Sequence, residues 1–437
     1  MCGRPARDVR PVSGEVALDG SETHRGRDAD VSPSAARTGD SILVSAVNLP
    51  VSMKIALLGV GQAGGKVADA ILDYEAASRT DFVTDAVAIN SARADLLGLR
   101  RIPAERRVLI GQSRVKGHGC GADNELGVTV AEEDIDEIRG AVDDLPVHEV
   151  DAFLVVAGLG GGTGSGASPV IARELSRLYT EPVYGLGVLP GSDEGGIYTL
   201  NAARSFQTFV REVDNLLVFD NDAWRRSGES LQGGYASINE EIARRLGVLL
   251  SAGEVSEPPV PESVVDASEI INTLAGGGVT TIGYANSRLD RPPRGLFGRR
   301  EQDPDETDVV NRITATVRRA TLGNLTLPAN VKSTERALVV VSGPPKYLSR
   351  KGVEGSRRWL EEETGTMEVR GGDYPVPDSD YVSALVVLSG VTDVPRIKEL
   401  QQIGAETQRN LAERAAQRPE ALRDLVWDGD GEIDPLF

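Results

Sequence analysis

Aromatic side chains are scarce, only 4% of 437 residues, so any core must be built mainly from Val, Leu, Ile and Ala. Cysteine is scarcer still: Cys2 and Cys120 stand far apart, which excludes a disulfide scaffold. Lysine occurs only seven times among 47 basic residues, leaving arginine to carry nearly all positive charge. Acidic residues outnumber basic ones by 66 to 47, a net charge of -19. That balance excludes broad nucleic-acid binding, because nothing would neutralise a phosphate backbone over a large area. Acidity with little lysine points to a surface adapted to concentrated salt, ahead of an ordinary acidic protein. No apolar run reaches the ~18 residues of a membrane span, so no direct membrane insertion is expected. The first fifty residues lack the apolar core of a signal peptide, which points to a cytoplasmic protein.

The length suffices for two or three domains. Residues 1–52 are charged, rich in Pro, Gly and Ser, and without period. They read as a disordered extension, or as an upstream start assigned to a chain that begins at Met53. From Met53 onward, short aliphatic runs alternate with amphipathic ones, the pattern of an α/β fold. Strands are expected at Lys54–Leu58, Thr84–Ile89, Ala152–Val156 and Val183–Val188, and helices at Lys66–Tyr74, Ile135–Val142 and Ser168–Tyr179. The reading is a Rossmann-like parallel-sheet domain over 53–234, joined by a long central helix, 235–252, to a smaller α/β domain over 253–395. In it a Pro-rich break, VSEPPVPESVVD, precedes strands at Ala337–Val341 and Tyr381–Leu388, and 287–308 reads as a mobile insertion. Residues 396–437 form a C-terminal helix, Arg396–Ala416, and an acidic tail.

The densest signal is FLVVAGLGGGTGSGASPVIARELSRLY, residues 153–179. A strand delivers the chain to five glycines within seven residues, and a helix follows. Glycines let consecutive N–H groups face one point, and a helix start adds unpaired donors, so a polyanion is expected there. No Lys follows the glycines, which excludes the ATPase P-loop. GVGQAGG, after the first strand, matches the dinucleotide pattern G-x-G-x-x-G. Against an NAD-dependent enzyme, the second strand ends in Asn90 instead of an acid, and Asp85 lies too early to reach a ribose. GHGCGADN adds Gly117, Gly119 and Gly121. Three such loops suit a triphosphate. With no lysine nearby, backbone amides would bear the charge, offset by Mg²⁺. Cys120 is a small loop residue or a reactive thiol, and His118 touches phosphate or faces water.

GGGTGSG following GQAG resembles the signature of the tubulin/FtsZ superfamily, and from Met53 to about Ala416 the chain resembles the archaeal tubulin-like CetZ group. The resemblance implies bound GTP or GDP and head-to-tail self-association into protofilaments. It places Gly160, Gly161, Gly162, Thr163, Gly164, Ser165 and Gly166 around the β-phosphate, with Gly61, Gln62, Ala63 and Gly64 beside them. Gly119, Gly121 and Asn124 would sense the γ-phosphate, with Asn90 near the phosphates and their metal. Glu194 in LPGSDEGG matches the ribose position, and Asn221 in FDNDAW the guanine-reading Asn. Tyr235 and Asn239, four apart on a helix, share a face from which a ring stacks and an amide bonds a base edge.

For hydrolysis the family supplies carboxylates from the next subunit. VVDASEIINTL fits that loop through Asp266 and Glu269, although Asp266 equally suits a helix cap. FtsZ carries an Arg after its ribose Glu; here Tyr198 stands in its place and Arg204 is the nearest downstream Arg. The tail GDGEIDPLF lacks a basic-apolar membrane-anchor peptide and leaves adaptor binding open. The implied function is an assembly-stimulated GTPase of the cytoskeleton that controls cell shape. An FtsZ-like division GTPase, an NAD-dependent enzyme and a non-polymerising nucleotide binder are the alternatives.

Overall fold

IALLGV, Ile55–Val60, is buried at every position, as expected of a strand covered on both faces. Alternation sends Ala56, Leu58 and Val60 into one apolar layer and Ile55 and Leu57 into the other. The computed structural model describes residues 52–224, 231–253, 265–289 and 304–426. The expectations for residues 1–51, for most of the Pro-rich break, for the middle of the 287–308 segment and for the acidic tail lie outside the described residues.

The strands are β1 (Ile55–Val60), β2 (Val83–Asn90), β3 (Arg107–Leu109), β4 (Ala152–Gly158) and β5 (Val183–Leu189). They continue with β6 (Asn215–Asp220), β7 (Val279–Arg288), β8 (Arg336–Gly343), β9 (Val369–Pro375) and β10 (Tyr381–Ser389). The first helices are α1 (Gly61–Ser78), α2 (Arg93–Leu97), α3 (Gln112–Val115), α4 (Asn124–Glu133), α5 (Ile135–Asp143) and α6 (Thr163–Leu178). After these come α7 (Gly196–Glu212), α8 (Asn221–Trp224), α9 (Leu231–Leu250), α10 (Ala267–Leu274), α11 (Glu306–Leu322), α12 (Arg350–Thr364) and α13 (Pro395–Val426).

One ten-stranded sheet runs in the order β3-β2-β1-β4-β5-β6-β7-β10-β8-β9. The parallel N-terminal half and the smaller C-terminal α/β half are hydrogen-bonded to each other where Leu216 and Leu217 of β6 pair with Val279 and Thr280 of β7. The later strands therefore extend the first sheet, whereas the sequence suggested a sheet of their own. Only β10 runs antiparallel to its neighbours, β7 and β8.

Two further boundaries differ from expectation. The 287–308 segment is flanked by structure that reaches into it, since β7 runs to Arg288 and α11 starts at Glu306. The terminal helix α13 runs on to Val426. Among the described residues no helix is long and apolar enough to cross a membrane.

β1 lies between β2 and β4, and the chain winds outward in both directions from that point. In such sheets the crevice at the carboxyl ends of the central strands is where ligands bind. The Gly-rich segments follow β1 and β4, so the topology brings them together there.

Candidate functional site

The glycines do more than make loops. α6 begins at Thr163, well before the Ser168 start read from the sequence, and α1 begins at Gly61. A helix start tolerates glycine because its first N–H groups are unpaired anyway. Here the missing side chains permit backbone contact. A Cβ on Gly64 would stand 2.1 Å from the Val156 carbonyl oxygen, and one on Gly166 would stand 2.3 Å from that of Asn124. Gly61, at φ +71°, would meet the Gly164 nitrogen at 2.7 Å.

The outcome is a cavity of about 390 Å³ at the carboxyl ends of β1 and β4. Gln62, Ala63, Asn90, Gly119, Gly121, Gly160, Gly161, Gly162, Thr163 and Gly164 line it, as do Glu194, Asn221, Tyr235 and Asn239. Gly61, Gly64, Asn124, Ser165 and Gly166 lie outside that lining and build its walls instead. Ser165 Oγ donates back to the Gly161 carbonyl, turned toward its own loop. Asn124 begins α4 and borders a separate, smaller cavity of about 120 Å³.

At the phosphate-loop end, Asp95 organises two amides: it accepts from Gln62 Nε2 at 3.0 Å and from Asn90 Nδ2 at 3.2 Å. The Thr163 hydroxyl pairs with Ser91 Oγ at 2.6 Å. Asn201, in the middle of α7 and 1% exposed, donates to the carbonyls of Ala122 (2.7 Å) and Gly160 (3.0 Å). It thereby pins the second and third Gly-rich segments together. Cys120 is buried in the cavity wall with its sulfur 3.3 Å from Ser91 Oγ, and His118 also lines the cavity.

The other end is built by α7, α8 and α9. Glu194 Oε1 accepts from the Gly191 N–H (2.7 Å) and from the Tyr235 hydroxyl (2.8 Å). Asn221 is buried, lines the cavity, and its Oδ1 has no hydrogen-bond partner among the described residues. An orphaned buried acceptor costs roughly 1–3 kcal/mol, so its position marks where a donor belongs. Tyr198 also lines the cavity, whereas Arg204 turns away and pairs with Glu125 of α4 at 3.2 Å. Beside Asn221, burial pushes the Asp220 carboxyl up to about 6, against the opposing pull of the Arg396 guanidinium.

Lys66 corrects the expectation that no lysine stands near. It lines the cavity from α1. A Cβ on Gly247 of α9 would fall 2.0 Å from the Tyr74 ring of α1, which fixes where the two helices touch. Lys66 and Asn239 each precede that contact by eight residues, about 12 Å of helix at 1.5 Å per residue. Since both line the cavity, the helices run side by side and Lys66 stands level with Asn239.

Asp266 and Glu269 are not in the cavity. Asp266 is the N-cap of α10, its Oδ1 accepting from the Glu269 N–H at 3.0 Å and from Ser268 Oγ at 2.6 Å. The cap is thus present within the chain, and a role toward a neighbouring subunit's nucleotide is a separate matter. Glu269 is 40% exposed and its Oε2 lies 3.5 Å from Arg370 Nε of β9. We expect Asp266→Ala to lose about 1 kcal/mol of stability, the usual worth of a cap, and Asp266→Asn to lose little. Urea midpoints of the two variants check this. Turnover in Asp266→Asn that drops as far as in a Glu269 variant would reassign Asp266 to catalysis.

Sequence reasoning missed Lys66, Asp95 and Asn201. Asp95 carried a readable signal, an acid just after the strand-ending Asn90. Asn201 carried none, because only the crossing of α7 over two loops gives it partners.

Residues 54–229 match the Tubulin/FtsZ family, GTPase domain, and residues 228–406 match Tubulin-like CetZ, C-terminal domain. The chain is 65% identical over 390 residues to the tubulin-like protein CetZ3 of Haloferax volcanii, covering 88% of this chain and 100% of that one. Among solved structures, GDP-bound monomeric CetZ1 of H. volcanii shares 63% identity at a TM-score of 0.74, covering 82% of this chain and 100% of that one. The GTPγS-bound CetZ2 protofilament of the same organism shares 46% identity, also at 0.74 and with the same coverage.

Proposed function

We propose, from the premise that this chain belongs to the CetZ group of the tubulin/FtsZ superfamily, that it binds and hydrolyses GTP and assembles head to tail into cytoskeletal protofilaments. The observation that carries the reading is the cavity itself, Gly-walled at one end and holding the unpartnered Asn221 Oδ1 at the other. The triphosphate lies against backbone N–H groups of Gly160–Gly164 and Gly119–Gly121, with the ribose beside Glu194. Guanine presents N–H donors that adenine lacks on the corresponding edge, and Asn221 Oδ1 accepts from them. Tyr235 and Asn239 close the base end.

Among the described residues no cluster of three or more acids, His or Cys stands ready to hold a metal. Mg²⁺ takes most of its oxygens from phosphates and water, and Asp95 and Asn90, which line the phosphate-loop end, would be the protein groups to complete its shell. When bound it offsets phosphate charge. Residues 53–230 then form the GTP-binding domain, α9, Leu231–Leu250 where 235–252 was expected, the central helix, and 253–395 the C-terminal domain that offers Glu269 to the next subunit. By analogy with that group, the reading extends to a cytoplasmic role in cell shape.

Ligand-dependent melting tests the reading. GTP or GDP at about a hundred times Kd adds about 2.7 kcal/mol to stability and raises Tm, while ATP and NAD at equal concentration leave it in place. A shift with NAD and none with GDP would replace this reading with a dehydrogenase.

A further inference from the structure

Arg396 sits in the first turn of α13, where the helix dipole disfavours positive charge, and its side chain is only 10% exposed. Burial of a guanidinium at that end requires strong partners. Nη2 donates to Asp222 Oδ2 at 2.9 Å and to the Pro190 carbonyl at 3.2 Å, and Nη1 donates to Glu399 at 3.1 Å. Nε lies 3.5 Å from Asp220 Oδ1.

These contacts converge on the two segments that shape one end of the cavity. Asp220 and Asp222 flank Asn221. Asp222 also accepts from the Ser192 N–H, at 2.9 and 3.0 Å to its two oxygens, so it holds the loop that leads to Glu194. α13 packs closely on α7 at Gly404, where a Cβ would lie 2.8 Å from Ala203 Cβ. α7 in turn carries Tyr198 and Asn201. A displacement of α13 would therefore reach both the loop and the helix behind it.

We propose that Arg396 is a positioning residue for the nucleotide: it clamps the Pro190–Glu194 loop to the Asp220–Asp222 corner, so that the seating of the last helix sets how long the nucleotide stays bound. The inference rests on the GTP reading of the cavity. The guanidinium does not line the cavity; it acts through Asp222, the loop backbone and the strand end that presents Asn221.

The clamp carries a pH signature. The charged groups facing Asp220 are Arg396 and Asp222, with Glu399 beyond the guanidinium. Below about 6, Asp220 takes up a proton and the clamp loses one carboxylate charge. The folded-state pKa lies above the ordinary carboxylate value, so this protonation by itself favours the folded form. Nucleotide release should thus quicken on acidification without a fall in Tm from this group.

The test loads the full chain with tritiated GDP, chases with excess unlabelled GDP in high-KCl buffer, and follows release from pH 7.5 to pH 5. Arg396→Met should quicken release about tenfold or more at pH 7.5, the scale of a coupling carried through one packed element, and lose the step near pH 6. Arg396→Lys keeps the charge but not the fork, and should fall between the two. Arg409→Met, on an exposed part of α13, should match wild type. Wild-type GDP retention with unchanged release in Arg396→Met and Arg396→Lys would overturn the inference and leave the GTP reading standing. Should Arg396→Met not fold, Arg396→Lys decides alone. A wild-type chain that holds no GDP at all would remove the GTP reading and the inference with it.

Discussion

Glu269→Ala is expected to remove the dependence of GTP turnover on protein concentration while leaving nucleotide binding intact. In-line attack on a γ-phosphate needs a positioned water and stabilised charge. Of the carboxylate and imidazole side chains lining the cavity, Glu194 is bonded to Tyr235 at the far end, which leaves His118 and Asp95 near the Gly-rich loops. Both oxygens of Asp95 are engaged by Gln62 and Asn90. Glu269 lies outside the cavity in the first turn of α10, half-buried, with its carboxylate beside Arg370. A carboxylate there reaches a nucleotide only when that nucleotide belongs to another copy of the chain. Losing a positioned acid-base group slows chemistry by about 10²–10⁴-fold. Phosphate release per subunit, measured across protein concentrations in high-KCl buffer, should rise cooperatively for wild type and stay flat for the variant. The variant should still sediment as filaments with GTP. Equal, concentration-independent rates in both proteins would defeat a site shared between subunits.

Gly166→Ala should destabilise the fold and abolish nucleotide binding, although Gly166 does not line the cavity. Its Cβ would be 2.3 Å from the Asn124 carbonyl oxygen and 2.6 Å from the Val128 nitrogen, both backbone atoms that no rotamer change can move. The contact is reciprocal, since a Cβ on Gly127 would fall 2.3 Å from the Gly162 carbonyl oxygen. α4 and α6 must part, and α6 carries Thr163 and Gly164 at its start. Overpacking typically costs 1–3 kcal/mol, and about 3 is expected where the obstacle is backbone. Gly161→Ala supplies the contrast. Its Cβ would meet nothing within 4 Å, yet Gly161 lines the cavity. That variant should unfold at the wild-type urea concentration while binding GDP more weakly. If Gly166→Ala kept both its urea midpoint and its GDP affinity, close packing would not explain these glycines.

The two variants separate what one heptapeptide encodes. In the sequence, Gly160 to Gly166 read as a single anion cradle. In the structure the first five residues line the cavity, whereas Ser165 turns to its own loop and Gly166 admits a neighbouring helix. Glycine density signals that backbone must come close to something. Whether that is a ligand or another backbone depends on what crosses above it. Asp266 carries a similar lesson. Its spacing to Glu269 suited both a carboxylate pair and a cap, and the φ of -104° and ψ of 177° at Asp266 with the bond to the Glu269 N–H made it a cap.

Local patterning alone determined the α/β class, the central strands β1, β2, β4 and β5 with the helices α1 and α6 that follow β1 and β4, the polyanion loops and, through motif resemblance, the superfamily. These depend on residues close in the chain, where period, glycine spacing and turn chemistry act directly. Tertiary structure decided the rest: the joining of both halves into one sheet through two residue pairs, the level of Lys66, the strut formed by Asn201, and the grip of Arg396 on a loop about two hundred residues earlier. Each of those arises where distant segments meet, and the energy of such a meeting lies in neither segment before the chain has folded.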